Sequence, residues 1–160
     1  MDLPKASLIA QVQAPIQQIL RPAVWIPGLR NLHSHQEKWK FKSDSVKDNL
    51  DAILRAVADV AKKYRNRSYW DIHTNELQVA RGFLRIFVYT KAEWLDIIEI
   101  SLLGKTAEVW SFSSGFLPLI VPFACILNVP LFWIPFADMG LNKKRIDQIV
   151  AAMDLTVDRH

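Results

Sequence analysis

The chain has 160 residues, which suggests one domain with a core of its own and no need of staples. Half of it is hydrophobic, and its mean hydropathy is slightly positive, high for a chain with 22% charged residues. Its single cysteine, Cys125, excludes a disulfide framework or a cysteine-based zinc site and reads as a small apolar residue.

Net charge is +4, and basic residues gather at Lys38, Lys40, Lys42, Lys62, Lys63, Arg65, Arg67 and the run Lys143-Lys144-Arg145. No helix-turn-helix, zinc-finger or ribonucleoprotein-type motif accompanies that charge, so no nucleic-acid partner is expected. An anionic membrane surface fits better, because the basic run closely follows the most apolar stretch of the chain. The N-terminus has an early acid and no uninterrupted apolar segment, so no secretory signal is expected. The expected location is intracellular, either cytoplasmic or peripheral to a membrane.

Residues 1–42 read as an irregular N-terminal extension, since Pro4, Pro15, Pro22, Pro27 and Gly28 interrupt any long helix. Ile16, Ile19, Leu20, Val24, Trp25, Ile26 and Leu29 still make residues 1–30 apolar enough to pack on the domain, a lipid surface or a protein partner. Residues 46–64 predict a helix with one buried face. Leu50, Ile53, Val57, Val60 and Tyr64 recur at helical spacing, Ser45 and Asp48 suit its start, and Lys62 and Lys63 suit its end. Four antiparallel strands are predicted next, over about 68–74, 77–89, 92–102 and 106–113. Leu84, Ile86 and Val88 alternate with Phe83, Arg85, Phe87 and Tyr89, and Gly82 predicts a bulge. A last helix is expected from Asn142 to Met153, with Asn142 as its N-cap. The tail, 155–160, reads as polar and frayed. The fold class is therefore α+β: a two-layer domain over 43–154, ordered helix, four-stranded antiparallel sheet, helix.

"TAEVWSFSSG" and "ADMGLNKKRIDQIVAAM" resemble the end of a widespread family, domain of unknown function 1499. Its pattern is a strand ending in Ser-x-Ser, a short link, then Asp-x-Gly-x-Asn-x-x-Arg-Ile. Ser111, Ser113, Asp138, Gly140, Asn142, Arg145 and Ile146 fit it. The resemblance covers roughly residues 43–153 and implies a compact α+β domain, with no activity attached. The chain departs from the family in one respect. Between the Ser-x-Ser strand and the Asp lies an apolar insert, 116–135, containing Pro118, Pro122, Pro130 and Pro135.

The insert is as long as a membrane span, but its prolines oppose a straight helix. A second reading is a hairpin dipping into one leaflet, with Phe116, Phe123, Phe132, Trp133 and Phe136 in the interface and Lys143, Lys144 and Arg145 at the headgroups. A third is that it folds back over the second face of the sheet, as core or as a lid on an apolar pocket.

Candidate chemistry is sparse. Asp71 and His73 share a strand face near Glu76 and could form an acid–base pair. Asp96 and Glu99 sit on opposite faces of one strand, so one points inward, toward an arginine such as Arg81 or Arg85. His33 and His35 are too few for a metal site. "SFSSG" lacks the first glycine of a nucleophile elbow. Asp138, Asn142 and Arg145 could hold an anion at the last helix or simply cap it.

The leading expectation is a non-catalytic module, without cofactor or metal, that binds a membrane surface or a hydrophobic, lipid-like small molecule through 116–135. The alternatives are an enzyme acting on a hydrophobic small molecule through Asp71, His73, Asp96 or Glu99, and an accessory subunit of a membrane complex.

Overall fold

The computed structural model describes residues 5–26, 29, 33–134 and 140–160. The α+β class holds, but the sheet has six antiparallel strands rather than four. They are β1 (Ser34–Phe41), β2 (Ser68–Ile72), β3 (Phe83–Thr90), β4 (Leu95–Leu103), β5 (Thr106–Ser113) and β6 (Val157–Arg159), in spatial order β2-β3-β4-β5-β1-β6.

The two added strands come from regions expected to be irregular. In β1, Trp39 and Phe41 turn inward between outward lysines, and the strand fills the place beside β5. In the tail, β6 pairs with β1, and Arg159 reaches both Glu37 and Asp147. Covering the free edge of β1 gives these terminal residues backbone partners that an exposed tail lacks.

Two helices lie on the first face. Helix α3 (Val46–Lys63) keeps its sequence-predicted bounds to within a residue, and Ser45 Oγ accepts from the Asp48 N–H at 3.2 Å. Helix α6 (Leu141–Ala152) starts after Gly140, whose φ of 74° makes it the N-cap in place of Asn142. Together they bury Trp39, Ile53, Leu84, Ile86, Ile98, Val109, Ile146 and Ile149 against the sheet. The expected strand over 77–89 is shorter at its start. Residues Glu76–Ala80 form a one-turn helix, α4, under an Asn75/Gln78 capping box. Gly82 is no bulge. It sits at the turn into β3 with φ 76°, where a Cβ would come within 2.7 Å of the Leu102 carbonyl oxygen.

The second face is also covered, which makes the domain three-layered rather than two-layered. Helix α1 (Leu8–Leu20) and the insert with its short helix α5 (Ala124–Leu131) lie across Phe87, Tyr89, Leu95, Ile97 and Phe112. The short α2 (Pro22–Trp25) follows α1 at once. Pro15 lies inside α1 without ending it. The cost of an interior proline, about 3 kcal/mol, is offset by the contacts that clamp this helix. Ser7 caps it and also donates both its N–H and its hydroxyl to the Glu93 carboxylate, at 2.8 and 2.5 Å. Glu93 in turn accepts the Leu119 N–H through its backbone carbonyl. One turn between β3 and β4 thus holds both α1 and the insert.

Candidate functional site

The four carboxylate and histidine candidates do not converge. Asp71 and His73 share a face as expected, with Asp71 Oδ2 4.0 Å from His73 Nδ1, but both are largely exposed at the sheet edge. The His73 ring stacks on Phe87 at 4.4 Å. Asp96 and Glu99 lie on opposite faces, as the register requires: Asp96 is opposite Ser113, and Glu99 is opposite Trp110. Glu99, the less buried of the two, pairs with Arg85 at 2.9 Å. Asp96 pairs with Arg145 at 2.5 Å, across 49 positions of sequence, so neither Arg81 nor Arg85 is its partner. Each acid is therefore held by a cation or faces water. Among the described residues, no group of three metal-ligating side chains occurs.

The residues that carry the family resemblance build a buried polar cluster rather than a surface. Asn142 accepts from the Ser111 hydroxyl at 2.9 Å and donates to the His33 carbonyl at 3.1 Å. Its Nδ2 also lies 3.3 Å from Ser113 Oγ. With the Asp96–Arg145 pair, this cluster pins α6 to β4 and β5. Asp138 lies outside the described residues.

The membrane or ligand candidates divide. Phe116, Phe123 and Trp133 are exposed, Phe123 at 70%. Phe132 is buried, with its ring 5.4 Å from the guanidinium of Arg21 and edge-on to His33, so it is core and not a contact residue. Phe136 lies outside the described residues. The basic run also splits: Lys143 pairs with Asp147 at 3.3 Å, Lys144 is exposed, and Arg145 is buried against Asp96.

The insert is thus core on one side and surface on the other. Leu119, Ala124, Cys125 and Asn128 face inward, while Ile120, Phe123, Ile126 and Leu127 face outward. Sequence reading missed the partner of this surface. Helix α1 buries Ala10, Gln13, Ala14 and Gln17 and exposes Leu8, Val12, Ile16 and Ile19. The two amides it turns inward are spent on the insert. Gln13 Nε2 donates to the carbonyls of Leu119 and Val121, at 2.8 and 2.9 Å. Gln17 Nε2 donates to Ser114 O at 2.8 Å, and its Oε1 accepts from Asn128 Nδ2 at 3.0 Å. Asn128 also accepts the Leu117 N–H at 2.6 Å and donates to the Leu117 carbonyl.

Helix α1 is therefore inverted, with polar and small residues inside and large aliphatic ones outside. Twenty large hydrophobic residues are exposed among the described residues; seven lie in 8–26 and seven in 116–134. Two exposed indoles in and beside these segments spend their N–H groups internally: Trp25 on Ile19 O at 2.7 Å, and Trp94 on Phe116 O at 2.8 Å. Neither 6–20 nor 116–134 contains a charged residue.

Arg21, between α1 and α2, is the other residue that sequence did not single out. It is fully buried, with its guanidinium 4.3 Å from the Phe112 ring centroid. Burial lowers its pKa to about 10, against the opposing pull of Glu99.

No family model, curated protein or solved structure matches the chain. Among the described residues, no helix is long and apolar enough to cross a membrane.

Proposed function

We propose that the chain is a non-catalytic module that seats on a membrane surface through α1 and the insert together. The observation that supports this most is the inverted burial of α1. Water favours large aliphatic side chains inside and amides outside, whereas hydrocarbon favours the reverse. A surface entering lipid must also satisfy its own backbone, because no water is available there. Gln13 and Asn128 take up backbone carbonyls of the proline-broken insert in this way, and Gln17 takes up that of Ser114 just before it.

Element length sets the depth. Thirteen residues of α1 span about 20 Å along the axis, short of the ~30 Å hydrocarbon core. Eight residues of α5 span about 12 Å. Both elements belong to one sheet face, so the seat is in one leaflet and the sheet stays outside it. Eight half-exposed apolar side chains, at about 1 kcal/mol each, give about 8 kcal/mol. That exceeds the roughly 5.5 kcal/mol equivalent to a single myristoyl chain.

The resemblance to domain of unknown function 1499 is compatible with this reading. Its shared residues would hold α6 to the sheet, and the insert would be this chain's own addition. We propose that membership on Ser111, Ser113, Gly140, Asn142 and Arg145.

The test is flotation of the whole chain with phosphatidylcholine vesicles, with and without Val12→Ser/Ile16→Ser on the outer stripe of α1. The expected result is flotation that survives about 1 M salt, where surface charge is screened, and weakens in the double variant. If the chain stays at the bottom of the gradient, as a monomer or as a discrete oligomer, the reading fails. The oligomer would give the surface to protein contacts instead.

A further inference from the structure

Across the sheet from the apolar surface, a cleft of about 150 Å³ lies between the end of α3, the start of β2 and α6. Its polar lining includes Arg67, Lys144, Arg145, Gln148, Ser68 and Thr90, and no carboxylate lines it among the described residues. Pockets for drug-sized organic ligands begin at about 300 Å³, so the space suits a small group rather than an acyl chain.

Three features of this lining point to an anion. Arg145 is 7% exposed, and its Nη2 is committed to Asp96, yet its Nη1 has no hydrogen-bond partner among the described residues. A buried guanidinium N–H without an acceptor is costly, and Arg145 is one of the residues lining the cleft. The Ser68 and Thr90 hydroxyls are already used as acceptors: Ser68 Oγ takes the Trp70 indole N–H at 2.8 Å, and Thr90 Oγ1 takes the Trp94 N–H at 3.1 Å. What each has left to give is its O–H, a donor. Asp96 offsets Arg145, which leaves Arg67 and Lys144 as two uncompensated exposed cations at the rim. That charge matches a phosphate monoester, which carries about −1.5 to −2 near neutral pH.

We infer that this cleft binds a phosphate monoester group, held by Arg67 and Lys144 at the rim and by Arg145 Nη1 at the base. The group can come from a lipid headgroup or from a free phosphate compound; only the first source rests on the membrane reading. A chain of hydrogen bonds links the cleft to the apolar surface. Thr90 bonds the Trp94 backbone in both directions, and the Trp94 indole bonds Phe116 at the start of the insert. A headgroup in the cleft and acyl chains beside the insert would then meet the same end of the sheet.

The experiment compares the whole chain with Arg67→Gln/Lys144→Gln and with Lys40→Gln/Lys42→Gln, which removes the same charge away from the cleft. Arg145 is left intact, because its loss would strand Asp96. Thermal unfolding is followed in inorganic phosphate against chloride at equal ionic strength. Flotation is followed on phosphatidylcholine vesicles alone, or with equal fractions of phosphatidic acid or phosphatidylserine. The expected result is stabilisation by phosphate, with apparent affinity falling about tenfold per cation removed and unchanged in the Lys40/Lys42 control. A preference for phosphatidic acid over phosphatidylserine, lost only in the cleft variant, identifies the lipid source. Phosphate stabilisation without that preference identifies a soluble one. Absence of any phosphate effect, or equal losses in both double variants, overturns the site. Flotation on phosphatidylcholine alone reads the membrane seat separately and should be the same in all three proteins.

Discussion

Phe123 offers the sharpest test of the lipid-facing surface, because its effects on stability and on binding should have opposite signs. It stands at the N-cap of α5 with φ 62° and ψ 15°, in the left-handed region, and is 70% exposed. A residue with a Cβ pays about 1–2 kcal/mol for that conformation, and asparagine tolerates it best among the non-glycine residues. In water, Phe123→Asn should therefore raise stability by about 1 kcal/mol, or roughly 2–4 °C in Tm for a chain of this size. On a membrane, the same change removes most of the burial of one phenylalanine. Scaling about 1.5–3 kcal/mol for full burial by the exposed fraction gives about 1–2 kcal/mol, a five- to thirtyfold loss in partitioning by the usual conversion of about 1.4 kcal/mol per tenfold. Thermal unfolding read by circular dichroism, and vesicle partitioning read by flotation, are measured on the same two proteins. If Tm falls and partitioning is unchanged, Phe123 is a packing residue, and the reasoning that assigns this surface to lipid is wrong.

Asp96→Ala should cost about 3–5 kcal/mol, since it strands the buried Arg145 charge. Asp96→Leu combined with Arg145→Met should recover much of that loss in urea unfolding, and a double variant as unstable as the single would refute the pairing argument. Gly115→Ala places a Cβ 2.3 Å from the Asn128 amide nitrogen. It should therefore displace the side chain that holds the insert, costing about 1–3 kcal/mol and accelerating amide exchange at Leu117. The Glu37 carboxyl is pushed up by burial, but bonds from Arg159, Trp39 and His35 outweigh this and leave it below its ordinary 4.5. Asp147 is likewise pushed up by burial, but its bonds and attraction to Arg159 and Lys143 together outweigh this, so it is also lowered. Because both folded-state values are depressed, their stabilisation is complete above the ordinary values and is lost as pH falls through the folded ones. Arg159→Met should flatten that acid limb. The two urea-midpoint profiles should converge at low pH, and parallel profiles would refute the assignment.

The periodicities of the sequence are local, and whatever depended on them alone was legible. Leu50, Ile53, Val57 and Val60 mark the buried stripe of α3, and the alternation over 83–90 places Leu84, Ile86 and Val88 on one face and Phe87 and Tyr89 on the other. The opposite facings of Asp96 and Glu99 follow from the same period of two. Everything that required a distant partner was not legible. The stretch SHQEKWKF reads as loop until β5 and β6 lie on either side of it, although its alternation of Trp39 and Phe41 with lysines was the available signal. The identity of Asp96's partner was decided by α6 crossing β4, not by any arginine near it in the chain. Most of all, the segment 8–20 carries a helical stripe that gives no indication of which side faces inward. Leu8, Val12, Ile16 and Ile19 would be assigned to the core by hydrophobicity alone. They face outward because Gln13 and Gln17 must satisfy backbone carbonyls of the insert and of Ser114 just before it, more than 90 residues away, and a buried unpaired carbonyl costs more than an exposed aliphatic side chain.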